Sequence, residues 1–364
     1  MAEQLVLKVG GEEYTGWEAV RVASGIDQLA GEFELGGADR WALSGQASAI
    51  LPGLPCSIEI AGTPVITGWI DDDAPSYDAR SHSLTLRGRD ATGDLVDSAA
   101  LADGMGWENR TIAEIAADLC KPFGIPVTVS DDVAVVTPAP QKLSIRAPLK
   151  SHRINPGETV FEVLSRAAAL RGALLISDQQ GGLLITRAGG RRSSTVLQRG
   201  VNILSGSALH SHRQRFHTYQ VIAQQSGAGQ AFSWMPSAQH VEASTTDPAI
   251  RAQRRTVIVV SDSADAALAK QVASWARANA AAVGERATVW VPGWLDGGEP
   301  WRPNTLVHIE DDYLRVSGTW LIAQVEFLLD PREGELTALT LAPPAAYVPQ
   351  PQVELDPADE EVGP

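Results

Sequence analysis

Alternation of apolar and polar positions dominates the first ninety residues. EAVRVAS (18–24) alternates about Val20, Arg21 and Val22, the pattern of a strand with one face in a core and the other in water. LVLKVGGEEY (5–14) reads as a strand entering a turn. EFEL (32–35) and HSLTLRGRD (82–90) read as further strands, and CSIEIAGTPVITGWIDD (56–72) as a hairpin about Gly-Thr-Pro. Short strands at this spacing predict an antiparallel sandwich or barrel.

At Thr92 the period changes. RTIAEIAADLCKPFG (110–124) puts Ile112, Ile115, Ala116 and Leu119 on one helical face, and Pro122 and Gly124 end the helix. A strand (IPVTVS, 125–130), a Pro-containing connector and a second amphipathic helix (GETVFEVLSRAAALRG, 157–172) follow. ALLISDQQGGLLITRAG (173–189) is a hairpin turning at Gly181-Gly182. The two helices align without gaps, Thr111 on Thr159, Glu114 on Glu162 and Gly124 on Gly172, and a Thr three residues before a Glu has capping-box spacing. Any capped helix running into a strand has this layout, a reading preferred over a duplicated unit.

Strands return near residue 201. SALHSHRQRFHTYQVIAQQ (207–225) holds two extended pieces about a polar turn, residues 226–254 are irregular, and TVIVVSD (256–262) is a buried-type strand. SADAALAKQVASWARANAAAVG (263–284) is an Ala-rich helix, capped by Ser or Asp and stopped by Gly284. PGLPCSIEIAGTPVITGWI is echoed by RPNTLVHIEDDYLRVSGTWLI, which sets Ile60 on Ile309 and Trp69 on Trp320. LTLRGRD then matches LTLAPPA, and GIDQLAGEFEL resembles HRQRFHTYQVI. The expected fold is α+β, mainly β: two similar antiparallel β-barrel domains flanking a smaller α/β insert. The boundaries expected are 1–92 for the first barrel, 93–200 for the insert, and 201–347 for the second barrel with its inserted helix 263–284. The acidic, Pro-rich tail 348–364 cannot bury enough surface to fold alone. A ring of three such chains would present six similar units.

Composition narrows the chemistry. The 364 residues carry a net charge of −15, so the chain lacks the cationic surplus that wraps DNA, though it could line a passage through which DNA slides. Cys56 and Cys120 sit in apolar contexts and read as reduced core residues. The N-terminus lacks a basic stretch followed by an apolar one, and no run of apolar residues approaches membrane length, so folding in a cytoplasm without membrane insertion is expected. No Gly-x-Ser-x-Gly, His-Glu-x-x-His or Gly-x-x-x-x-Gly-Lys is present, and no catalytic residue, cofactor or metal ligand is assigned. Asp71-Asp72-Asp73 and Glu310-Asp311-Asp312 read as solvated turns rather than cation sites. His210, His212 and His217 form the one His cluster in the sequence. A strand would set His210 and His212 on one face, at an interface or as a pH-sensitive contact. Trp69 and Trp320 are read as barrel core rather than interface anchors. Of Trp290, Trp294 and Trp301, at least one is expected against a neighbouring chain.

Seven stretches, taken in order and spacing, resemble one known family. They are YTGWEAVRVASGIDQLAGEFEL, VITGWIDD with LTLRGRDATGDLVDSAA (65–100), NRTIAEIAADLCKPFGI (109–125), and GETVFEVLSRAAALRGALLISDQQGGLLITRAG. The C-terminal part adds DPAIRAQRR (247–255), WARANAAAVGERATVWVPGW and WLIAQVEFLLDPREGELTALTLAPPAAY (320–347). The family is the phage Mu-like baseplate hub proteins, related to the late-control and hub families of contractile tails. The resemblance implies a non-enzymatic structural subunit: a homotrimeric ring with two tube-like barrels per chain, in the baseplate of a virion tail assembled in the host cytoplasm. Its implied partners are the tail tube or tube-initiator protein, a trimeric spike and other baseplate proteins, with genomic DNA passing through unbound. The alternative is a peptidoglycan-binding tail module acting through the helix–strand units at 110–130 and 158–188, followed by a wall-degrading tail module with no residues assigned to it. The His-rich strand near 210–217 and the acidic tail fall outside the resemblance.

Overall fold

The structure, a computed structural model, describes residues 5–38, 50–79, 82–130, 144–225, 239–260, 266–330, 332 and 334–351. The first strand set runs β1 (Leu5–Val9), β2 (Glu12–Tyr14), β3 (Ala19–Gly25), β4 (Glu32–Ala38), β5 (Pro55–Ile60), β6 (Thr63–Tyr77) and β7 (His82–Asp90). After a short helix α1 (Gly93–Asp97) comes the mixed segment: β8 (Gly106–Arg110), α2 (Ile112–Cys120), β9 (Val127–Val129), β10 (Leu149–Arg153), α3 (Val160–Leu170), β11 (Leu174–Ser177) and β12 (Leu183–Thr186). The remainder is β13 (Arg191–Gln198), β14 (Ser205–His210), β15 (Thr218–Gln225), β16 (Gln239–Thr246), β17 (Arg255–Val260), α4 (Ala266–Val283), β18 (Glu285–Pro292), β19 (Leu295–Asp296), β20 (Glu299–Pro300), β21 (Thr305–Asp311), β22 (Val316–Asp330) and β23 (Gly334–Ala342). The fold is α+β and mainly β, with several antiparallel sheets.

The two strand sets have one pairing plan. In the first, neighbours run β3-β4-β7-β6-β5-β1; in the second, β14-β18-β23-β22-β21-β13. Each list visits its strands in the same order relative to the chain. Even the β-bulges correspond, between Ile70 and Asp72 in β6 and between Ile322 and Gln324 in β22. One pair differs in sense: β1 is antiparallel to β5, whereas β13 is parallel to β21. The sets are joined edge to edge, because β3 pairs with β22, and together they make a single 13-stranded sheet. Their inward side chains form one core that includes Val22, Phe33 and Ile58 from the first set and Val289, Phe327 and Leu339 from the second.

This register corrects the sequence alignment. The bulges set Ile70 on Ile322, which places Trp69 on Leu321 and Gly68 on Trp320. A slip of one residue reverses the face of a strand side chain. Trp320 is accordingly core, at 6% exposure, whereas Trp69 is 38% exposed and not barrel core as expected. Ile309 corresponds to Ile58, two residues from Ile60 and on the same buried face. The counterpart of β4, with its EFEL, is β18 and not HRQRFHTYQVI, which leads into a separate three-stranded sheet β16-β15-β17.

That side sheet is covered on one face by α4 through Leu268, Ala269, Val272 and Ala273. Two expectations change here. Residues 239–246 form β16 rather than irregular chain; their Gln, Ser and Thr give no apolar alternation, and antiparallel pairing with β15 supplies the order. Among the described residues β17 is an edge strand, not a buried one, with Val257 and Val259 at 55% and 78% exposure. The expected cap of α4 lies outside the described residues, as does 352–364 of the tail. Residues 345–348 are tied to α4 where Trp275 Nε1 donates to Val348 O at 2.7 Å and Asn279 Nδ2 to Ala345 and Ala346 carbonyls.

In the mixed segment, both capping boxes form, Thr111 with Glu114 and Thr159 with Glu162. The strand before each cap pairs with the other, β8 with β10, so the likeness of the two halves extends to strand–helix–strand. Their core holds Cys120, while Cys56 lies in the core of the large sheet, so the two thiols are free and separate. Burial pushes each up to about 12, which keeps them unreactive.

Candidate assembly interface

Three parts of the chain meet at Asp90, the last residue of β7. Asp90 is buried; its Oδ1 accepts from Thr92 N at 2.9 Å and Thr92 Oγ1 at 2.7 Å, and its Oδ2 from Ser177 Oγ at 2.8 Å. Burial pushes this carboxyl upward, and the three donors pull it back. Thr67 Oγ1 donates to Gln179 O at 3.2 Å from the other side. The hairpin of β11 and β12, turned by Gly181 at φ +85°, is thereby clamped to the first strand set.

The seam between the strand sets carries its own polar bridge. Arg21 on β3 reaches Glu326 on β22 at 2.5 Å and Glu32 on β4 at 2.7 Å. Arg286 on β18 pairs with Asp27 at 2.9 Å, and the Tyr347 hydroxyl donates to the same carboxylate at 3.0 Å. Further along, Arg87 meets Glu34 at 3.0 Å, and Arg89 meets Asp71 at 2.8 Å and Asp97 at 2.9 Å. Exposed pairs of this kind add little stability each, so their weight lies in fixing the charge pattern of an outer sheet face.

The residues singled out from sequence are dispersed. Asp71 is neutralised by Arg89, and Asp72 lies across the ladder from Arg87. Asp311 is buried and not solvated as expected; its Oδ1 accepts from Leu314 N at 2.9 Å and shapes the β21–β22 turn. Among the described residues no three His, Cys, Asp or Glu side chains are grouped so as to hold a metal ion. The His residues do not share a strand face, because β14 ends at His210. His210 Nε2 lies 2.8 Å from Leu314 O, and His217 Nδ1 lies 3.1 Å from Thr218 Oγ1, while His212 follows the strand end. Trp294 and Trp301 are core, and Trp294 donates to Leu328 O at 3.1 Å; Trp290 is half-buried beside Ser205 of β14.

Sequence reasoning missed the exposed edges. Among the described residues β14 pairs on one side alone, with β18, and residues 72–77 of β6 pair on one side alone, with β7. Exposed apolar side chains gather at both places, Leu204 and Leu209 about β14 and Tyr77, 81% exposed, at the end of β6. An open strand edge is a template for another chain. The signal was present as apolar residues in short Ser- and Pro-containing strands, but nothing in the sequence says which edge stays unpaired.

Residues 4–90 match the family described as Mu phage baseplate assembly protein GpP-like, N-terminal. Residues 92–187 match the second domain of baseplate hub protein gp44-like, and residues 265–350 the fourth domain of GpP. The baseplate hub protein gp44 of Escherichia phage Mu is 32% identical over 362 residues, spanning 96% of this chain and 90% of that protein. The chain belongs to the Mu-type baseplate hub family. It is thus a baseplate hub protein of a phage tail, and its place is the virion tail baseplate. Among solved structures, the 43 kDa tail protein of prophage MuSo2 from Shewanella oneidensis has a TM-score of 0.79 at 32% identity, covering 96% of this hub chain and all of its own. A tail protein from Neisseria meningitidis MC58 has the same fold, with a TM-score of 0.77 at 22% identity over 97% of this chain and all of its own.

Proposed function

We propose that three copies of the chain close into a ring with near-sixfold geometry, which joins the tail tube on one side to a threefold spike on the other. The observation that carries this reading is the doubled strand set: one pairing order, used twice, in one continuous sheet. Six equivalent modules from three chains can meet a sixfold tube, while the true threefold repeat meets the spike. Other baseplate proteins bind the outer wall, and assembly takes place in the host cytoplasm. The units of the chain end near residues 90 and 190, with β13 built into the second strand set rather than the insert. Genomic DNA passes without specific binding, because the net charge of −15 repels phosphate, and acidic side chains line the bore. The role is structural, in keeping with relatives that are baseplate hub and tail proteins.

Sedimentation of the full chain across concentrations, with electron microscopy of the same sample, tests the ring. The mass of three chains and an open annulus are expected. A single-chain mass at every concentration overturns the reading, and a basic bore overturns its electrostatic part.

A further inference from the structure

The chain contains one complete module-to-module joint and both halves of a second that is left open. In the closed joint, β3 pairs antiparallel with the far half of β22, from Gly25·Gln324 to Val20·Leu329. The pairing order makes β14 the counterpart of β3, and β6 the counterpart of β22. Both the far half of β6 and the outer side of β14 have no strand beside them among the described residues. We infer that adjacent copies of the chain join by pairing β14 of one with residues 73–77 of β6 of the next, antiparallel and in the register of the β3–β22 joint. The inference rests on the ring proposed above and names the surface that closes it.

The register transfers residue by residue. Ladder partners through β4 and β18 set Gly206 on Val20, Ser207 on Arg21 and Ala208 on Val22. The bulges set Tyr77 on Leu329, Ser76 on Leu328 and Pro75 on Phe327. The intermolecular pairs are therefore Gly206·Tyr77, Ser207·Ser76, Ala208·Pro75, Leu209·Ala74 and His210·Asp73. Side-chain sizes fit this assignment. Tyr77, 81% exposed in the single chain, falls opposite a glycine, and an aromatic ring across a strand glycine is a recurrent stabilising pair. Leu209, 62% exposed, falls opposite Ala74. His210 and Asp73 bring a cation-capable ring to a carboxylate. Ile26 N donates to Ala323 O at 2.8 Å, so by alternation Val22·Phe327 exchanges backbone bonds and Arg21·Leu328 does not. Pro75, the counterpart of Phe327, thus withholds one donor, which blunts the edge against unspecific partners and leaves Ala208 N free to donate to Pro75 O.

Ser207·Ser76 corresponds to the non-bonded pair, where Cα atoms stand about 4.5 Å apart, within disulfide range. The double variant Ser207→Cys/Ser76→Cys, oxidised mildly as full-length chain, is expected to give covalent species of two and three chains. Ser207→Cys alone, Ser76→Cys alone and Ser207→Cys/Ser83→Cys, one strand further in, are expected to give none; Cys56 and Cys120 are buried and do not compete. In addition, Leu209→Asp is expected to weaken the ring at least about tenfold while leaving the single chain folded. A three-chain mass with no cross-link overturns this edge and leaves the ring standing. A single-chain mass at all concentrations overturns both.

Discussion

Phe327 sits where the two strand sets become one body. It lies on β22 between Val22 of β3 and Thr337 of β23, at 1% exposure, in the core shared by both sets. Replacing it by Ala removes the ring from a site walled by two modules. Burying an aromatic side chain of roughly 150–250 Å² contributes about 4–6 kcal/mol at about 25 cal/mol per Å². Part of the deleted surface belongs to atoms Ala retains, and measured Phe→Ala changes in cores run about 3–5 kcal/mol. Collapse from either module could fill the cavity only by moving the β3–β22 ladder, so the upper half of that range is expected. Urea unfolding followed by tryptophan fluorescence reads this core, because Trp294, Trp301 and Trp320 belong to it. With a slope of about 3 kcal/mol per molar urea, a loss of about 4 kcal/mol lowers the midpoint by more than about 1 M. Leu101→Ala, at an exposed site away from both strand sets, should stay within about 0.5 kcal/mol. A midpoint for Phe327→Ala within about 0.3 M of the parent would refute the idea that the two sets fold around one core.

Gly88 should tolerate no side chain: a Cβ there would collide with the Trp69 carbonyl and stand 2.7 Å from Phe33 Cε1. Gly88→Ala is expected to cost about 1–3 kcal/mol or more in the same urea assay, whereas Gly36→Ala, whose Cβ would meet Ala19 at 3.5 Å, should be neutral or slightly stabilising. The two-pronged hydrogen bond from Arg166, aided by Asn155, holds the Glu158 carboxyl at about 2, well below its ordinary 4.5. A depressed carboxyl contributes stability that is complete above the unfolded value and is lost as pH falls towards 2. Glu158→Gln should therefore flatten the fall in urea midpoint between pH 4.5 and pH 2, and equal slopes in both proteins would exclude the role.

Local physics explains which elements were legible. The helix faces Ile112-Ile115-Ala116-Leu119 and Val160-Val163-Leu164-Ala167 are written in a 3.6-residue period, and each cap needs only a Thr and a Glu three apart. Strand alternation in β3, β5 and β7 was equally plain. β16 and the exposure of β17 were not, because a polar strand and an edge strand differ from loop and core only in what pairs with them. Trp69 shows how little is needed: relative to matching bulges it stands one residue out of step with Trp320, and that single residue puts its side chain in solvent rather than core. The candidate interface was less legible than the fold. Leu209 and Tyr77 look like ordinary strand residues until the ladder shows their edges open.

By itself, the order of apolar and polar residues determined a mainly β chain with a doubled strand pattern, an α/β segment between the halves, two buried thiols and an acidic surface. These depend on neighbours a few residues apart, or on simple sums of charge. Only the tertiary structure decided that β3 and β22 weld the halves into one sheet, that β13 runs parallel to β21, and which strand edges remain open. Backbone hydrogen bonds between strands are chemically alike at every register, so partners hundreds of residues apart are chosen by packing of the whole core and not by any local signal.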